Sequence, residues 1–226
     1  VANVPDYCVG EVADHAMALL LALERKVLVF DASVRRGEWT PVKTGRPIHR
    51  LAGRTLGIVG FGRIGREVAR RASVFGYRIL AHDPLLPEDA IRGAGAEPSA
   101  LEALLAAADS VSLHLPLTDE TRGILGREKL AGMKSGALLV NVARGALVDG
   151  AALAEALGAG RLAGAALDVY ETEPLPRDHP LRSAPNTILG PHCAWYSEEA
   201  LRDLQKNAAA EAARALRGEP LRNRVV

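Results

Sequence analysis

The sequence predicts an α/β protein built on a doubly wound parallel sheet. Short apolar runs of strand length alternate with segments of helical period, the pattern of βαβ units. A glycine-rich turn, Gly60-Phe61-Gly62-Arg63-Ile64-Gly65, lies between the first strand run and the helical segment after it. No internal repeat, low-complexity tract or interdomain linker interrupts the 226 residues, a length that fits one domain, 1–226.

In chain order, the first element is a long helix over 11–36, where Val12, Ala16, Leu19, Leu20, Leu23, Val27 and Phe30 recur at three- and four-residue steps. Such a stripe either covers the protein's own sheet or reaches a second subunit. Pro41, Gly45 and Pro47 break the following segment, so 37–53 reads as a loop carrying Trp39. A buried strand over 55–59 leads into a helix over 64–75, and a second strand, 77–81, is stopped by Asp83-Pro84. Segments 87–92 and 101–107 read as short helices, and 111–115, 137–140, 163–167 and 187–189 as further strands. A crossover helix includes 153–157, and an amphipathic helix over 197–217 closes the domain.

Composition narrows the function classes. Hydrophobic residues make up 48% and charged residues 24%, which excludes a disordered chain. Lys and Arg number 28 against 27 Asp and Glu, so no overall field favours nucleic acid or a membrane surface. The most apolar stretch, 16–23, ends at Glu24-Arg25-Lys26, too short to span a bilayer. Cys8 and Cys193 are too few for a disulfide framework or a cysteine zinc site, and they point to a reducing, cytoplasmic setting. A first residue of Val1 rather than Met implies a processed or cut N-terminus.

The glycine turn has the context a dinucleotide site needs, strand before and helix after. Gly60 permits the tight turn, Gly62 lets backbone approach a pyrophosphate, and Gly65 lets helix and strand pack closely. The helix N-terminus offers unpaired N–H groups to phosphate. Asp83 follows Gly65 by eighteen residues at the end of the next strand. Its carboxylate accepts hydrogen bonds from ribose hydroxyls and repels a 2′-phosphate, which favours NAD over NADP.

Further reactive candidates sit at or beyond predicted strand ends, where a doubly wound sheet opens its ligand crevice: His114, Arg144, Asp168 and His192, with Glu173 on the loop after Asp168. The grouping suits hydride transfer to a 2-oxo acid. An arginine grips a planar carboxylate, a histidinium donates the proton a developing alkoxide needs, and a carboxylate beside that histidine favours its charged form. The competing assignments are a surface salt bridge for Arg144, a strand-end cap for His192, a solvated loop acid for Glu173 and a structural role for His114. His15, His49, His82 and His179 show no metal-ligand spacing along the sequence, so no metal is expected.

The segments Gly60 to Gly65, Asn141-Val-Ala-Arg-Gly145, Ala166-Leu-Asp-Val-Tyr170 with Glu173-Pro174, and Pro191-His192 resemble the D-isomer-specific 2-hydroxyacid dehydrogenases along nearly the whole chain. The resemblance implies an NAD-dependent oxidoreductase acting on a small 2-hydroxy or 2-oxo acid. It implies Arg144 as the substrate-binding arginine, Glu173 as the carboxylate paired with the histidine, and His192 as the acid/base. It implies Asp168 against the nicotinamide amide, Arg63 and Ile64 at the phosphates, Asp83 at the ribose, and His114, Leu115 and Val142 along the cofactor. Glu173 stands where formate dehydrogenases of this superfamily carry glutamine, which argues against formate.

The run His192-Cys-Ala-Trp-Tyr-Ser197 resembles the C-terminal-binding-protein branch, and phosphoglycerate dehydrogenases share the other motifs. Trp195 accordingly either walls the substrate pocket or packs in an interface. Whole members of the family carry a second, flavodoxin-like lobe, and Asn3-Val-Pro-Asp-Tyr7 resembles the segment where the chain leaves it. The expectation is a chain largely without that lobe, which binds NAD but turns over weakly by itself, with its C-terminal helix shaped to dock on the lobe. The long N-terminal helix resembles the family's dimerisation element and implies a homodimer. The alternatives are an NAD(H)-sensing, corepressor-like module without catalysis, and a catalytically impaired fragment.

Overall fold

The computed structural model describes residues 1–225. In chain order the elements are α1 (Val9–Glu24), α2 (Val27–Arg35), α3 (Pro41–Gly45), β1 (Thr55–Val59), α4 (Arg63–Val74), β2 (Arg78–His82), α5 (Glu88–Gly93), β3 (Glu97–Pro98), α6 (Leu101–Ala107), β4 (Ser110–Leu113), α7 (Arg127–Gly132), β5 (Leu138–Asn141), α8 (Gly150–Gly158), β6 (Gly164–Leu167), β7 (Thr187–Leu189) and α9 (Glu198–Leu216). The strands form one sheet in the order β3-β2-β1-β4-β5-β6-β7, every pairing parallel. This is the doubly wound arrangement. The order reverses between β1 and β4, and it is beyond the carboxyl ends of the strands at such a reversal that doubly wound sheets take their ligands.

β1, β4, β5 and β6 are buried along their whole length, as strands covered on both faces must be. On one face Leu104, Leu105, Leu113, Leu139 and Leu153 form a core, and on the other Leu20, Phe61, Val68 and Ala72 do. α1 lies across the second face, where Leu19, Leu20 and Leu23 are buried.

The expected helix over 11–36 is two helices. The chain turns at Lys26, whose backbone is left-handed at φ 52°. The Lys26 N–H bonds the Leu23 carbonyl at 3.1 Å, which tightens the last turn. The physical cause lies in Glu24, a buried carboxylate whose Oε1 accepts from Ser110 Oγ at 2.7 Å and from Arg54 Nε at 3.3 Å. Docked there, α1 runs into the sheet's amino edge and has to change direction. The apolar period continues through the bend and conceals it. The loop expected over 37–53 contains α3, and Trp39 is 82% exposed. The sequence reading also missed α7 and the two-residue edge strand β3.

The two chain ends meet. Asn3 N–H bonds the Asn223 carbonyl at 3.1 Å and Val225 N–H bonds the Val1 carbonyl at 2.9 Å. Among the described residues no helix is long and apolar enough to cross a membrane.

Candidate active site

The glycine turn connects β1 to α4 at the reversal point. Gly60 has φ +91°, and a Cβ there would stand 2.7 Å from the His114 backbone, so only glycine fits. At Gly62 a Cβ would meet nothing within 4 Å, and α4 begins without a side-chain cap. The first N–H groups of the helix therefore open onto free space at the tip of β1. Arg63 is exposed beside them and Ile64 half-buried. Asp83 ties the turn to the end of β2: Oδ2 accepts from Phe61 N at 2.8 Å and Oδ1 from Leu85 N at 3.0 Å. This cradle of small residues, uncapped helix start and strand-end carboxylate fits a dinucleotide pyrophosphate and ribose.

Leu115 and Val142, both buried, follow the ends of β4 and β5 on either side of the crevice. The backbone of His114 borders Gly60, while its ring turns inward: Nε2 lies 2.9 Å from Ser112 Oγ, and Nδ1 is buried without a partner among the described residues. Burial lowers its pKa to about 4. The unfolded chain, with a histidine near 6.5, thus binds more protons than the folded one between pH 4 and 6.5. Stability is unaffected above that window and falls as pH drops through it, by up to about 3 kcal/mol for this residue. Chemical denaturation at pH 7.5 and pH 4.5 checks this, and His114→Asn should flatten the pH slope.

The remaining candidates converge at the ends of β5, β6 and β7. Buried Asn141 pins the arginine loop, donating Nδ2–H to the Arg144 carbonyl at 2.9 Å and accepting from Ala143 N at 3.0 Å. Arg144 itself is exposed, and its guanidinium donates to the Ala143 carbonyl at 2.6 Å. Next to it, Gly145 packs so closely on the Tyr170 backbone that any Cβ would overlap it. Tyr170 Oη donates toward the carbonyls of Leu167 (3.1 Å) and Gly190 (2.9 Å), and its N–H donates to Glu173 Oε1 at 3.0 Å. The other oxygen, Glu173 Oε2, lies 2.7 Å from His192 Nδ1.

Burial works against ionising Glu173, but hydrogen bonds from His192 and the Tyr170 amide, with the nearby charges of His192 and Arg144, hold it below the usual carboxylate range. The arginine, the acid and the histidine therefore share one electrostatic site. With Nδ1 on the carboxylate, Nε2 is the ring nitrogen of His192 left to act on another group.

His192 has a left-handed backbone, φ 59°, which is costly for a side chain of this size. Asp168, with no exposed surface, holds it there: its carboxylate accepts from Cys193 N at 3.0 Å and Ala194 N at 2.7 Å. Trp195 Nε1 donates to the His192 carbonyl at 2.9 Å. The Trp195 ring contacts those of Tyr7, at a centroid distance of 6.3 Å, and Tyr196, at 5.6 Å. The Tyr7 hydroxyl is pushed up to about 12, chiefly by burial, while the charge of Arg144 acts in the opposite direction.

Sequence reasoning missed Asn141, Tyr170 and Tyr7 as site residues. An amide closing an apolar strand run three residues before Arg144 was a readable signal for Asn141. Tyr7 carried none, since only the fold brings it to Trp195.

Residues 17–194 match the family described as D-isomer specific 2-hydroxyacid dehydrogenase, NAD binding domain. A glyoxylate reductase of Korarchaeum cryptofilum is 46% identical over 223 residues, covering 97% of this chain and 67% of the relative. A D-3-phosphoglycerate dehydrogenase of Methanocaldococcus jannaschii is 43% identical over 224 residues, 99% of this chain and 42% of its own length. The chain thus spans roughly two fifths to two thirds of these two relatives.

Among solved structures, the TT0316 protein from Thermus thermophilus superposes with a TM-score of 0.88 at 42% identity, covering all of this chain and 71% of that one. The NAD-dependent formate dehydrogenase from Staphylococcus aureus, in complex with NAD, does so with 0.92 at 32% identity, covering 98% and 66%. With the glycine cradle, the strand-end carboxylate and the Arg–Glu–His cluster all following the carboxyl ends of strands of one parallel sheet, the chain belongs to the D-isomer specific 2-hydroxyacid dehydrogenase family, as its NAD-binding domain.

Proposed function

We propose that the chain is the redox half of an NAD-dependent 2-hydroxyacid dehydrogenase, interconverting a small 2-oxo acid and its 2-hydroxy acid. The observation that carries this is the 2.7 Å pairing of His192 Nδ1 with Glu173, within reach of the charge of Arg144. When bound, NAD(H) supplies or accepts the hydride. The N–H groups at the start of α4, with Arg63 and Ile64, hold the pyrophosphate; Asp83 takes the ribose hydroxyls; Leu115, Val142 and Asp168 flank the nicotinamide end. Arg144 grips the substrate carboxylate and turns the carbonyl toward the crevice. His192 donates a proton from Nε2 to the developing alkoxide, and Glu173 stabilises the imidazolium form. Trp195, backed by Tyr7, walls the side-chain pocket. Two free thiols, Cys8 and Cys193, fit a reducing cytoplasm.

Two wider features belong to the same reading. Val27, Leu28, Val34, Trp39 and Val42 leave an apolar face exposed over α2, α3 and the loop between them, as a homodimer contact requires. α9 buries only Ala200 of its 19 residues, which leaves a surface for a second lobe. NADH binding needs only the cradle on β1, α4 and β2, whereas turnover also needs water excluded from the reacting carbonyl.

Titration with NADH, followed by fluorescence, tests the cofactor assignment. Asp83→Ala should weaken NADH binding about 10- to 100-fold, the worth of one or two hydrogen bonds to a charged group, and narrow the preference for NADH over NADPH. Equal affinity in the variant would overturn the assignment.

A further inference from the structure

Behind the histidine loop, α1 brings a second imidazole against Asp168. His15 Nε2 is shielded from solvent, has no hydrogen-bond partner among the described residues, and faces Asp168 Oδ1 at 3.9 Å. An unpaired buried nitrogen of this kind costs about 1–3 kcal/mol and calls for an explanation. Asp168 itself is a fully buried carboxylate whose only candidate counter-charge, among the described residues, is that same imidazole. Cys193 Sγ lies 3.5 Å from the same Oδ1, and the three ligand atoms fall within 4.8 Å of one another.

Imidazole, carboxylate and thiol together are the donor set of a borderline-soft divalent ion. Around a tetrahedral zinc such ligand atoms stand roughly 3.3–3.7 Å apart, given bonds of about 2.0–2.3 Å. The sulfur–oxygen pair already has that spacing, and the other pairs need to close by up to roughly 1–1.5 Å. Sequence spacing gave no hint of this, because the ligands come from α1, the end of β6 and the loop after β7.

We propose that His15 Nε2, Asp168 Oδ1 and Cys193 Sγ form a three-ligand site for a thiophilic divalent cation of the zinc class. On binding, the Cys193 thiol releases its proton to solvent and the sulfur bonds the metal. The thiolate and carboxylate then neutralise the ion's two charges, and the lone nitrogen of His15 gains its partner. Three protein ligands leave a fourth position for water. The ion would lock the residue next to His192 to α1 and occupy a carboxylate at the nicotinamide end of the crevice, so metal and NADH should compete.

Cobalt(II) titration of the full chain, in a non-thiol reductant, reads the site without any turnover. The expected result is one equivalent per chain with a thiolate-to-cobalt charge-transfer band, displaced by zinc. Cys193→Ser should abolish the band, and His15→Ala and His15→Gln should each weaken affinity at least tenfold. Cys8→Ser and His179→Ala should leave both unchanged, and saturating NADH should weaken cobalt binding. Circular dichroism confirms that each variant folds, and His15→Gln serves if the alanine variant does not. Absence of a thiolate band in the parent chain, its survival in Cys193→Ser, or unchanged affinity in both His15 variants would overturn the proposal.

Discussion

Replacing His192 by alanine is expected to slow NADH-dependent reduction of a short 2-oxo acid about 10²- to 10⁴-fold, the usual worth of a positioned general acid. NADH affinity should stay within a factor of two or so, because the pyrophosphate and ribose contacts lie on β1, α4 and β2 and the bonds that hold Asp168 come from the Cys193 and Ala194 backbone, not from the imidazole. The contrast separates catalysis from binding. Single-turnover measurement, with protein in excess over NADH, keeps the step visible even where steady turnover is slow. Glu173→Gln should follow the same direction with an altered pH dependence, since it removes the charge that favours imidazolium and its single amide oxygen can accept from only one of His192 Nδ1 and Tyr170 N. A fall in rate matched by an equal fall in NADH affinity would mean that the loop, not the imidazole, was at fault.

The second large effect lies at Gly145. A methyl group there would overlap the Tyr170 backbone, which has no room to retreat: Tyr170 is held at its hydroxyl by the Leu167 and Gly190 carbonyls and at its N–H by Glu173. Gly145→Ala should cost about 2–3 kcal/mol, the upper part of the overpacking range, or a fall in Tm of about 5–10 °C for a domain of this size. Because the strain pushes apart the loops bearing Arg144 and Glu173, substrate KM should rise more than NADH affinity falls. Thermal melts and steady-state kinetics on the one variant read both consequences.

Much of the fold was legible. The strand runs, the glycine turn and Asp83 are signalled by neighbours within a few residues, and period and turn chemistry act over that range. Arg144, Glu173 and His192 were legible as types at strand ends, though nothing local distinguished them from a surface ion pair, a loop acid or a cap. The bend at Lys26 was not legible, because the apolar period runs through it and its cause, Glu24 meeting Ser110, spans 86 residues.

Taken alone, the order of residues determined the sheet class, the nucleotide cradle and the identity of the reactive groups, since each follows from backbone preference and burial pattern close along the chain. Only the tertiary structure decided which of those groups meet. The register that sets Asn141 beside Leu167, and Leu167 beside Leu189, carries the arginine, acid and histidine loops to one edge. The same packing turns Asp168 into the clamp of the His192 backbone and brings His15 and Tyr7 into the site from α1 and the segment before it. The strand pairings and the Asp168 clamp join residues more than twenty positions apart, and the His15 and Tyr7 contacts join residues more than a hundred apart, so no local pattern encodes them.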